Sequence, residues 1–254
     1  MRSTPEIIAR RGDAYVERDS RRPSGRLLRQ GDMDSSYVDL ADPTHLEFDY
    51  MRWMRLVLHS ARARRVVHIG GGACALPRAL ALADPSGRQD VCEADGDVLA
   101  LAREHCGLRR APGLRVRQAD GRAHLARLAN ASADAVVIDA FVGAAVPLRL
   151  VSVEALAEAA RVAPITLINV VDDRARRQVL AIAAALACAY RSVWTLGGRV
   201  GNTVVVGSAV ALDLVRIGAG AAADPSPARV TGPAELARSL AGMVAPRDGD
   251  AAPA

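Results

Sequence analysis

Residues 66–77 read VVHIGGGACALP, in which an apolar run of strand type ends in three glycines and passes into an alanine- and leucine-rich helix. Glycines let the backbone approach a ligand where a Cβ would collide, and a helix N-terminus offers unpaired N–H groups and a positive dipole end. About twenty residues further on, Glu93 ends the next strand, where a carboxylate can accept both hydroxyls of a ribose. The stretch predicts a nucleotide-like ligand over Gly70, Gly71 and Gly72, although a βα turn can also carry glycines only to turn tightly.

The sequence that follows alternates short apolar strands with helices as far as residue 189, which is typical of a parallel sheet covered on both faces. Residues 191–196 and 203–208 then form two strands joined by a short glycine-rich turn, so the sheet is expected to close with an antiparallel strand. We therefore predict an α/β fold with a Rossmann-like, doubly wound, mostly parallel seven-stranded sheet closed by an antiparallel hairpin strand.

The chain outside this sheet divides into shorter segments. Residues 1–44 are polar, with short β-like pieces at 14–16, 26–28 and 36–40, and predict a short N-terminal β-hairpin region. Asp42-Pro43-Thr44 is expected to begin an entrance helix that runs through His59. The predicted division is a hairpin region at 1–44, a ligand-binding α/β domain with its entrance helix at 45–218, and a C-terminal loop, short helix and disordered tail at 219–254.

Composition excludes several classes of function. All 33 basic residues are arginines spread among acidic neighbours, and only 3% of residues are aromatic, so a nucleic-acid partner is not expected despite the net charge of +5. The four cysteines form no C-x-x-C pair and predict a reducing compartment without a zinc or other metal site. The longest apolar run, 179–190, has 12 residues, too short for a bilayer, so we expect a soluble, cytoplasmic protein without a membrane partner.

Polar residues recur where the predicted strands end, which is the edge of an open α/β sheet that binds ligands. Helix capping is a sufficient reason for three of these residues, Asp95, Asp172 and Asp173. The others are more informative because they follow buried apolar runs. They are the glycines at 70–72, Glu93, Asp120 with Gly121, Asp139 and Asn169.

As a set these residues resemble the class I S-adenosylmethionine-binding fold. The resemblance implies that Gly70 to Gly72 lie under the amino-acid part of the ligand, Glu93 on the ribose hydroxyls, Asp120 with Gly121 at the adenine, and Asp139 beside the reacting centre. A dinucleotide enzyme is the alternative, because Gly70, Gly72 and Ala75 also fit G-x-G-x-x-A. The Asp120-Gly121 step and the closing hairpin favour the methyltransferase fold.

Within that fold, residues 26–210 resemble the spermidine synthase family of polyamine aminopropyltransferases. The resemblance depends on Gln30 to Tyr50, on the three glycines, and on Val136-Val137-Ile138-Asp139 followed by Pro147. It implies a transferase that takes S-adenosylmethionine or its decarboxylated form as donor, uses no metal, and passes an aminopropyl-type group to a small-molecule amine. It also implies that Asp139 helps to deprotonate that amine and that Tyr50 lines the acceptor site.

The sequence departs from the family where its members bind ammonium groups. An aspartate after the glycines is Ala73 here, an aspartate three positions after Asp139 is Val142, and a His-Glu pair after the tyrosine is Met51-Arg52. Burial of each ammonium of a diamine without a carboxylate costs several kcal/mol, so putrescine is expected to be a poor acceptor. A methyltransferase using intact S-adenosylmethionine, and a non-catalytic ligand-binding or dimerisation module of the same fold, therefore remain as alternatives.

The entrance helix also carries an expectation about assembly. Its apolar face includes Trp53, Met54 and Val57 and can exceed what one core covers, and proteins of the family that it resembles are dimeric. We therefore expect a homodimer.

Overall fold

A computed structural model describes residues 6–198 and 200–250, and its N-terminal part is an antiparallel sheet of four strands. Each strand pairs with the next one in the chain, so the predicted hairpin appendage is in fact a four-stranded antiparallel meander. Sequence pattern alone missed the first strand because charged residues frame its short apolar centre, and residues 1–5 lie outside the described residues. The strands are β1 (Glu6–Arg11), β2 (Ala14–Arg18), β3 (Gly25–Gln30) and β4 (Met33–Asp39).

The entrance helix α1 spans Asp49–Ser60, and its predicted start at residues 42–44 is wrong. The Asp42 side chain accepts hydrogen bonds from the backbone N–H and the hydroxyl of Thr44. Asp42 therefore closes a local turn of the kind that aspartate favours and does not cap the helix. The helix begins only after Phe48, so that Tyr50 lies in its first turn, buried against the central sheet.

The central sheet has eight strands in the order β12-β10-β11-β9-β8-β5-β6-β7. Strands β5 to β9 are parallel, while β11 is antiparallel to both β9 and β10, as the predicted closing hairpin requires. The eighth strand, β12, adds one to the predicted seven by pairing with β10. The strands are β5 (Arg65–Ile69), β6 (Arg88–Glu93), β7 (Leu114–Gln118), β8 (Ala135–Ile138), β9 (Ile165–Asp172), β10 (Ser192–Gly197), β11 (Gly201–Ser208) and β12 (Arg229–Thr231).

Helices cover both faces of this sheet and bury a separate apolar cluster on each. The order of the parallel strands reverses between β5 and β8, and in such sheets the ligand crevice opens beside that reversal, at the carboxyl ends of the strands. No helix within residues 6–198 and 200–250 is long and apolar enough to cross a membrane. The helices are α2 (Ala75–Ala83), α3 (Gly96–His105), α4 (Gly121–Arg127), α5 (Leu148–Val151), α6 (Val153–Val162) and α7 (Arg177–Ala187), with α8 and α9 in the C-terminal part.

The C-terminal part is more ordered than its sequence predicts. Helix α8 (Leu214–Ala222) precedes β12, and α9 (Pro233–Ser239) follows it. The backbone N–H of Val153 donates to the Pro246 carbonyl, and Asp248 bonds to both Ser152 and Arg122. The predicted disordered tail is therefore wrong for residues 245–250, because long-range contacts that no local pattern reveals hold them; residues 251–254 lie outside the described part of the chain.

Helix α8 and the loop after it cover the apolar face of α1. The Trp53 indole N–H donates to the Ser226 carbonyl, and Met54 and Val57 are fully buried within the one chain. The helix face that suggested a dimer is therefore not available to a second copy. The homodimer stays a prediction that rests on the family resemblance alone.

His68 provides a test of the packing between β5 and its neighbour β6. It is buried, one ring nitrogen lies 2.9 Å from the Gln89 side-chain oxygen, and burial lowers the pKa of His68 from 6.5 to about 4. Below pH 6.5 the unfolded chain therefore binds a proton at this site that the folded chain does not, so stability is lost as pH falls from 6.5 towards 4.

We expect this group to cost about 2 kcal/mol of unfolding free energy between pH 7.5 and pH 5. Urea unfolding of the wild type and of His68→Gln at both pH values measures the cost. The variant should lose about 2 kcal/mol less than the wild type on acidification. An equal loss in the two proteins would contradict the burial of a neutral imidazole.

Candidate active site

One cleft of about 660 Å³ lies at the carboxyl ends of the parallel strands, beside the strand reversal. The turn between β3 and β4 and the start of α1 form its other wall. Seven of the eight residues predicted for the site line it, and the eighth, Gly71, bonds to one of them. The seven are Tyr50, Gly70, Gly72, Glu93, Asp120, Gly121 and Asp139.

The glycine turn, residues 70–72, is shaped by its protein neighbours. Gly70 has a φ of +86°, and a Cβ at this position would lie 2.1 Å from the backbone oxygen of Asp139. The backbone N–H of Asp139 in turn donates to the Ile69 carbonyl at 2.8 Å. A glycine is therefore needed at position 70 because the turn passes close to the backbone of Asp139, a reason that the sequence pattern does not reveal. The close approach and the hydrogen bond hold the turn and Asp139 together.

Glu93 joins β6 to the glycine turn. Its Oε2 accepts the backbone N–H groups of Gly71 and Gly72 at 2.9 and 3.0 Å, and its Oε1 accepts that of Asp95 at 3.0 Å. A carboxylate has about four acceptor positions, so Glu93 keeps capacity for a ligand hydroxyl while it fixes the turn. This arrangement fits the expected ribose contact and adds a structural role to it.

Asp120 and Gly121 form the start of α4, and each has a structural reason of its own. Asp120 caps the helix by accepting the Ala123 N–H at 2.9 Å, and it pairs with the Arg149 guanidinium at 2.7 Å. A Cβ on Gly121 would lie 2.3 Å from a methyl group of Ile69. The cleft lining near this corner is apolar, which suits a nucleobase, and is formed by Ile69, Ala94, Ala119, Pro147 and Leu150.

Asp139 follows the buried strand β8 and lies at the centre of the cleft. The Tyr50 hydroxyl donates to its Oδ2 at 3.0 Å, and the Asn169 amide donates to its Oδ1 at 3.0 Å. Burial raises the pKa of Asp139 to about 6, helped by the nearby negative charge of Glu93 and opposed by the two hydrogen bonds. A carboxylate with a pKa near the working pH is well suited to take up a proton during a reaction.

Tyr50 and Asn169 position this carboxylate. Burial and the charge of Asp139 raise the pKa of Tyr50 well above 10. The phenol therefore keeps its proton and donates a hydrogen bond to the carboxylate. Asn169 is almost fully buried, and its other side-chain atom, Oδ1, has no hydrogen-bond partner among the described residues. From its sequence Asn169 is a polar strand end without a predicted role, and the signal that marks it is an amide inside the apolar run of β9.

The residues that depart from the family pattern do not all reach the cleft. Val142 lines it and is 75% exposed, whereas Ala73 is buried and lies outside the lining. Arg52 points elsewhere: its guanidinium pairs with Asp224 at 2.8 Å and donates to the carbonyls of Leu46 and Glu47. Arg52 was expected to oppose the pairing of an ammonium group, but it does not line the cleft and so has no such role there.

Within the described residues, we find neither a reactive cysteine at this cleft nor a cluster of metal ligands. Cys74 precedes α2, but burial raises the pKa of its thiol to about 12, so it is not a reactive thiolate. In the described residues, no group of three or more His, Cys, Asp or Glu side chains is placed to hold a metal ion.

Comparisons with solved structures give the fold a family context. A probable spermidine synthase from Corynebacterium glutamicum superposes with a TM-score of 0.85 at 26% identity, over 97% of this chain and 96% of that chain. A spermidine synthase in complex with the transition-state analogue AdoDATO gives 0.62 at 15% identity, over 83% and 74% of the two chains. Human methyltransferase-like protein 13 in complex with SAH gives 0.56 at 16% identity, over 80% and 96%.

The sequence comparisons are less informative than the structural ones. No model of a protein family matches the chain, and no curated protein matches it in sequence. The structural likeness nevertheless extends over almost the full length of both this chain and the C. glutamicum protein. The chain is thus spermidine synthase-like in structure within the class I methyltransferase fold, as the sequence predicted.

Proposed function

We propose that this chain is a transferase that binds an adenosyl sulfonium, with decarboxylated S-adenosylmethionine as the preferred donor, and transfers the aminopropyl-type group to an amine. The observation that carries the proposal is Asp139, a carboxylate with a raised pKa fixed between Tyr50 and Asn169 and joined to the glycine turn. Spermidine synthases and methyltransferases among the structural neighbours support transfer from such a donor.

The residues of the cleft fit the parts of an adenosyl thioether. Glu93 has acceptor capacity left for a ribose hydroxyl, and the apolar corner beside Gly121 suits the adenine ring. Asp120 lies at that corner, where its carboxylate can accept a hydrogen bond from an exocyclic amine. The sulfonium would then lie between the glycine turn and Asp139.

The charges of the cleft favour the decarboxylated donor. Two arginines line it, and each is paired there, Arg29 with Asp34 at 2.9 Å and Arg149 with Asp120 at 2.7 Å. The acidic side chains outnumber them, since Asp32, Asp34, Glu93, Asp95, Asp120 and Asp139 all line the same space. A donor with a sulfonium and an ammonium and no carboxylate complements this field better than intact S-adenosylmethionine does.

The chemistry required of the protein is alignment and proton removal. As the acceptor nitrogen forms its bond to the donor carbon, the bond from that carbon to sulfur breaks, and the sulfonium leaves as a neutral thioether. The proton lost by the attacking amine passes to Asp139, while Tyr50 and Asn169 hold the carboxylate in place. Holding the reactants in line and accepting this proton are the two sources of rate enhancement.

A methyltransferase remains the second candidate because of one observation. Ala73 supplies no carboxylate at the position where the resembled family binds the donor's ammonium, so the chain lacks one element of selectivity for the decarboxylated form. The same cleft and the same carboxylate would serve methyl transfer from intact S-adenosylmethionine.

Calorimetry separates these candidates and tests the ribose contact. We expect decarboxylated S-adenosylmethionine and methylthioadenosine to bind, and Glu93→Ala to weaken both by about 1–3 kcal/mol, because a charge-assisted hydrogen bond is lost. The matched control is Glu104→Ala, since Glu104 pairs with Arg11 on the outer surface and lies outside the cleft. Tighter binding of the intact donor would favour the methyltransferase, and tighter binding of NAD would refute the proposal.

A further inference from the structure

The order of the strands divides the cleft into two halves around Asp139. Strands β5, β6 and β7 lie on one side of β8 and carry the glycine turn, Glu93 and the segment that leads to Asp120. Strands β9 and β11 lie on the other side, with Val171 and Asn202 paired across them. We call the side of β9 and β11 the acceptor half, because the other side holds the groups that fit the donor.

The N-terminal wall of the cleft crosses the donor half. The Gln30 amide donates to Asp95, and a Cβ on Gly72 would lie 3.0 Å from the Ser36 side chain. The turn with Arg29, Asp32 and Asp34 therefore adjoins the glycine turn. Apart from Asp139, the charged side chains that line the cleft within residues 6–198 and 200–250 belong to this turn or to the donor half, except for Arg149 on α5, which is paired with Asp120 of the donor half.

The acceptor half is apolar and aromatic by contrast. The chain has only two phenylalanines, Phe48 and Phe141, and both line the cleft. Phe48 stacks on Tyr50 with the ring centres 5.9 Å apart, and Tyr50 reaches Asp139. In a chain with 3% aromatic residues, three rings that line one cleft, with one of them bonded to Asp139, are a marked local concentration of apolar surface.

The remaining side chains of this half carry no charge. Val171 lies at the end of β9, Val142 lies on the loop after β8, and Asn169 and Asn202 are neutral amides. An acceptor's amine can pair with Asp139, but a second ammonium further along the same molecule would meet rings, methyl groups and amides. Removal of an ammonium from water without a carboxylate costs several kcal/mol, whereas an apolar or aromatic body gains from the same contacts.

On the basis of the proposed function, we propose that the acceptor is a monoamine with an apolar, preferably aromatic, body and no second cationic group. Its nitrogen binds at Asp139, and its body lies against Phe48, Phe141 and Val171. Asn169, which also lines the cleft, holds that carboxylate through the hydrogen bond from its amide. The structural class of such an acceptor is an arylalkylamine and not a linear diamine.

Binding measurements test this without requiring turnover. Three amines are titrated by calorimetry into the full chain saturated with methylthioadenosine: 2-phenylethylamine, n-butylamine and 1,4-diaminobutane. We expect 2-phenylethylamine to bind tightest and the diamine to bind about 10- to 100-fold more weakly than n-butylamine, which differs from it only by the second nitrogen. Equal or tighter binding of the diamine, or binding of none of the three, would overturn the proposal.

A charge substitution provides the converse test. Val142→Asp places a carboxylate on an exposed position that lines the cleft, and it should improve diamine binding by about two- to fivefold without improving n-butylamine binding. Val210→Asp is the matched control. Val210 is also exposed, but it follows the end of β11 that pairs with the start of β9, away from the cleft. If Val142→Asp leaves the diamine unchanged, this acceptor half does not select against the second ammonium.

The outcomes also separate this proposal from the proposed function. If methylthioadenosine does not bind, the donor assignment fails, and the ranking of the amines is then measured on the free protein. If the amines rank as expected but neither donor yields product, the acceptor class stands and the transfer reaction is refuted. If product forms fastest with the diamine, the transfer reaction stands and the acceptor class is refuted.

Discussion

Asp139→Asn is expected to lower the rate of group transfer by about 10²–10⁴-fold while the affinity for methylthioadenosine, which carries no charge, stays nearly unchanged. The amide keeps the shape of the side chain but cannot take the proton from the attacking amine. Transfer by the wild type should also decline as pH falls through about 6, where Asp139 becomes protonated. Single-turnover rates across pH measure the transfer, and calorimetry with methylthioadenosine measures the affinity.

The same substitution should stabilise the fold. The folded pKa of Asp139 is raised from 3.8 to about 6, so its ionised form costs stability above pH 6, and the cost disappears as pH falls towards 3.8. We therefore expect Asp139→Asn to raise the unfolding free energy at pH 8 by about 1–3 kcal/mol. Replacing a buried charged group at an active site commonly gains stability at the expense of activity.

Asp134→Asn is the matched control because Asp134 lies just before the other end of β8. Its carboxylate bonds the Arg65 guanidinium at 2.7 Å and the backbone of Arg64 and Arg65, far from the cleft. This variant should lose stability and keep the transfer rate of the folded protein. Unchanged transfer in Asp139→Asn would remove the proposed base, and a loss of stability there would contradict the cost of its burial.

Gly70→Ala is expected to be the most damaging single-methyl change in the cleft. The φ of +86° costs an alanine about 1–2 kcal/mol, and the new Cβ would lie 2.1 Å from the Asp139 backbone oxygen, which adds about 1–3 kcal/mol of overpacking. Because the backbone of Asp139 must move to relieve the overlap, donor binding and transfer should both be lost. Urea unfolding and donor calorimetry measure these losses.

Gly201→Ala is the matched control for the backbone conformation. Gly201 has a φ of +88°, and a Cβ there would meet no atom of residues 6–198 and 200–250 within 4 Å. This variant should therefore show only the conformational cost of about 1–2 kcal/mol and should keep donor affinity. If the two variants lose the same stability, contact between the glycine turn and Asp139 is not what requires Gly70.

The sequence predicted the parts of the fold that local pattern determines. The run 135–138 is wholly apolar, so Asp139 after it had to end a buried strand at the ligand-binding edge. The start of α1 was misplaced because Asp42 can close a local turn or cap a helix equally well in sequence. The order of residues 245–250 could not be predicted, since it depends on Ser152 and Arg122, which lie far away in the chain.

The site was predictable to a similar extent. Strand-end position identified Glu93, Asp120 and Asp139, whereas Tyr50 followed only from the family resemblance. Asn169 received no role because an amide in an apolar strand has no characteristic spacing relative to its partner, which lies 30 positions earlier. The position of Arg52 outside the cleft could not be predicted either, because it depends on a contact with Asp224, 172 positions away in the chain.

The reversal of strand order beside β8 has a consequence for how this protein can diversify. In the proposed reaction, the donor is held by groups on β5, β6 and β7 and by the corner at Pro147 and Leu150, whereas the acceptor lies against β9, β11 and residues 141–142, with Asp139 shared between them. We therefore expect mutations at Val142, Phe141 or Asn202 to change acceptor preference while Glu93 and the glycine turn keep their contacts. This separation gives protein engineers a small set of positions at which the acceptor of the proposed transfer can be varied while the donor site stays the same.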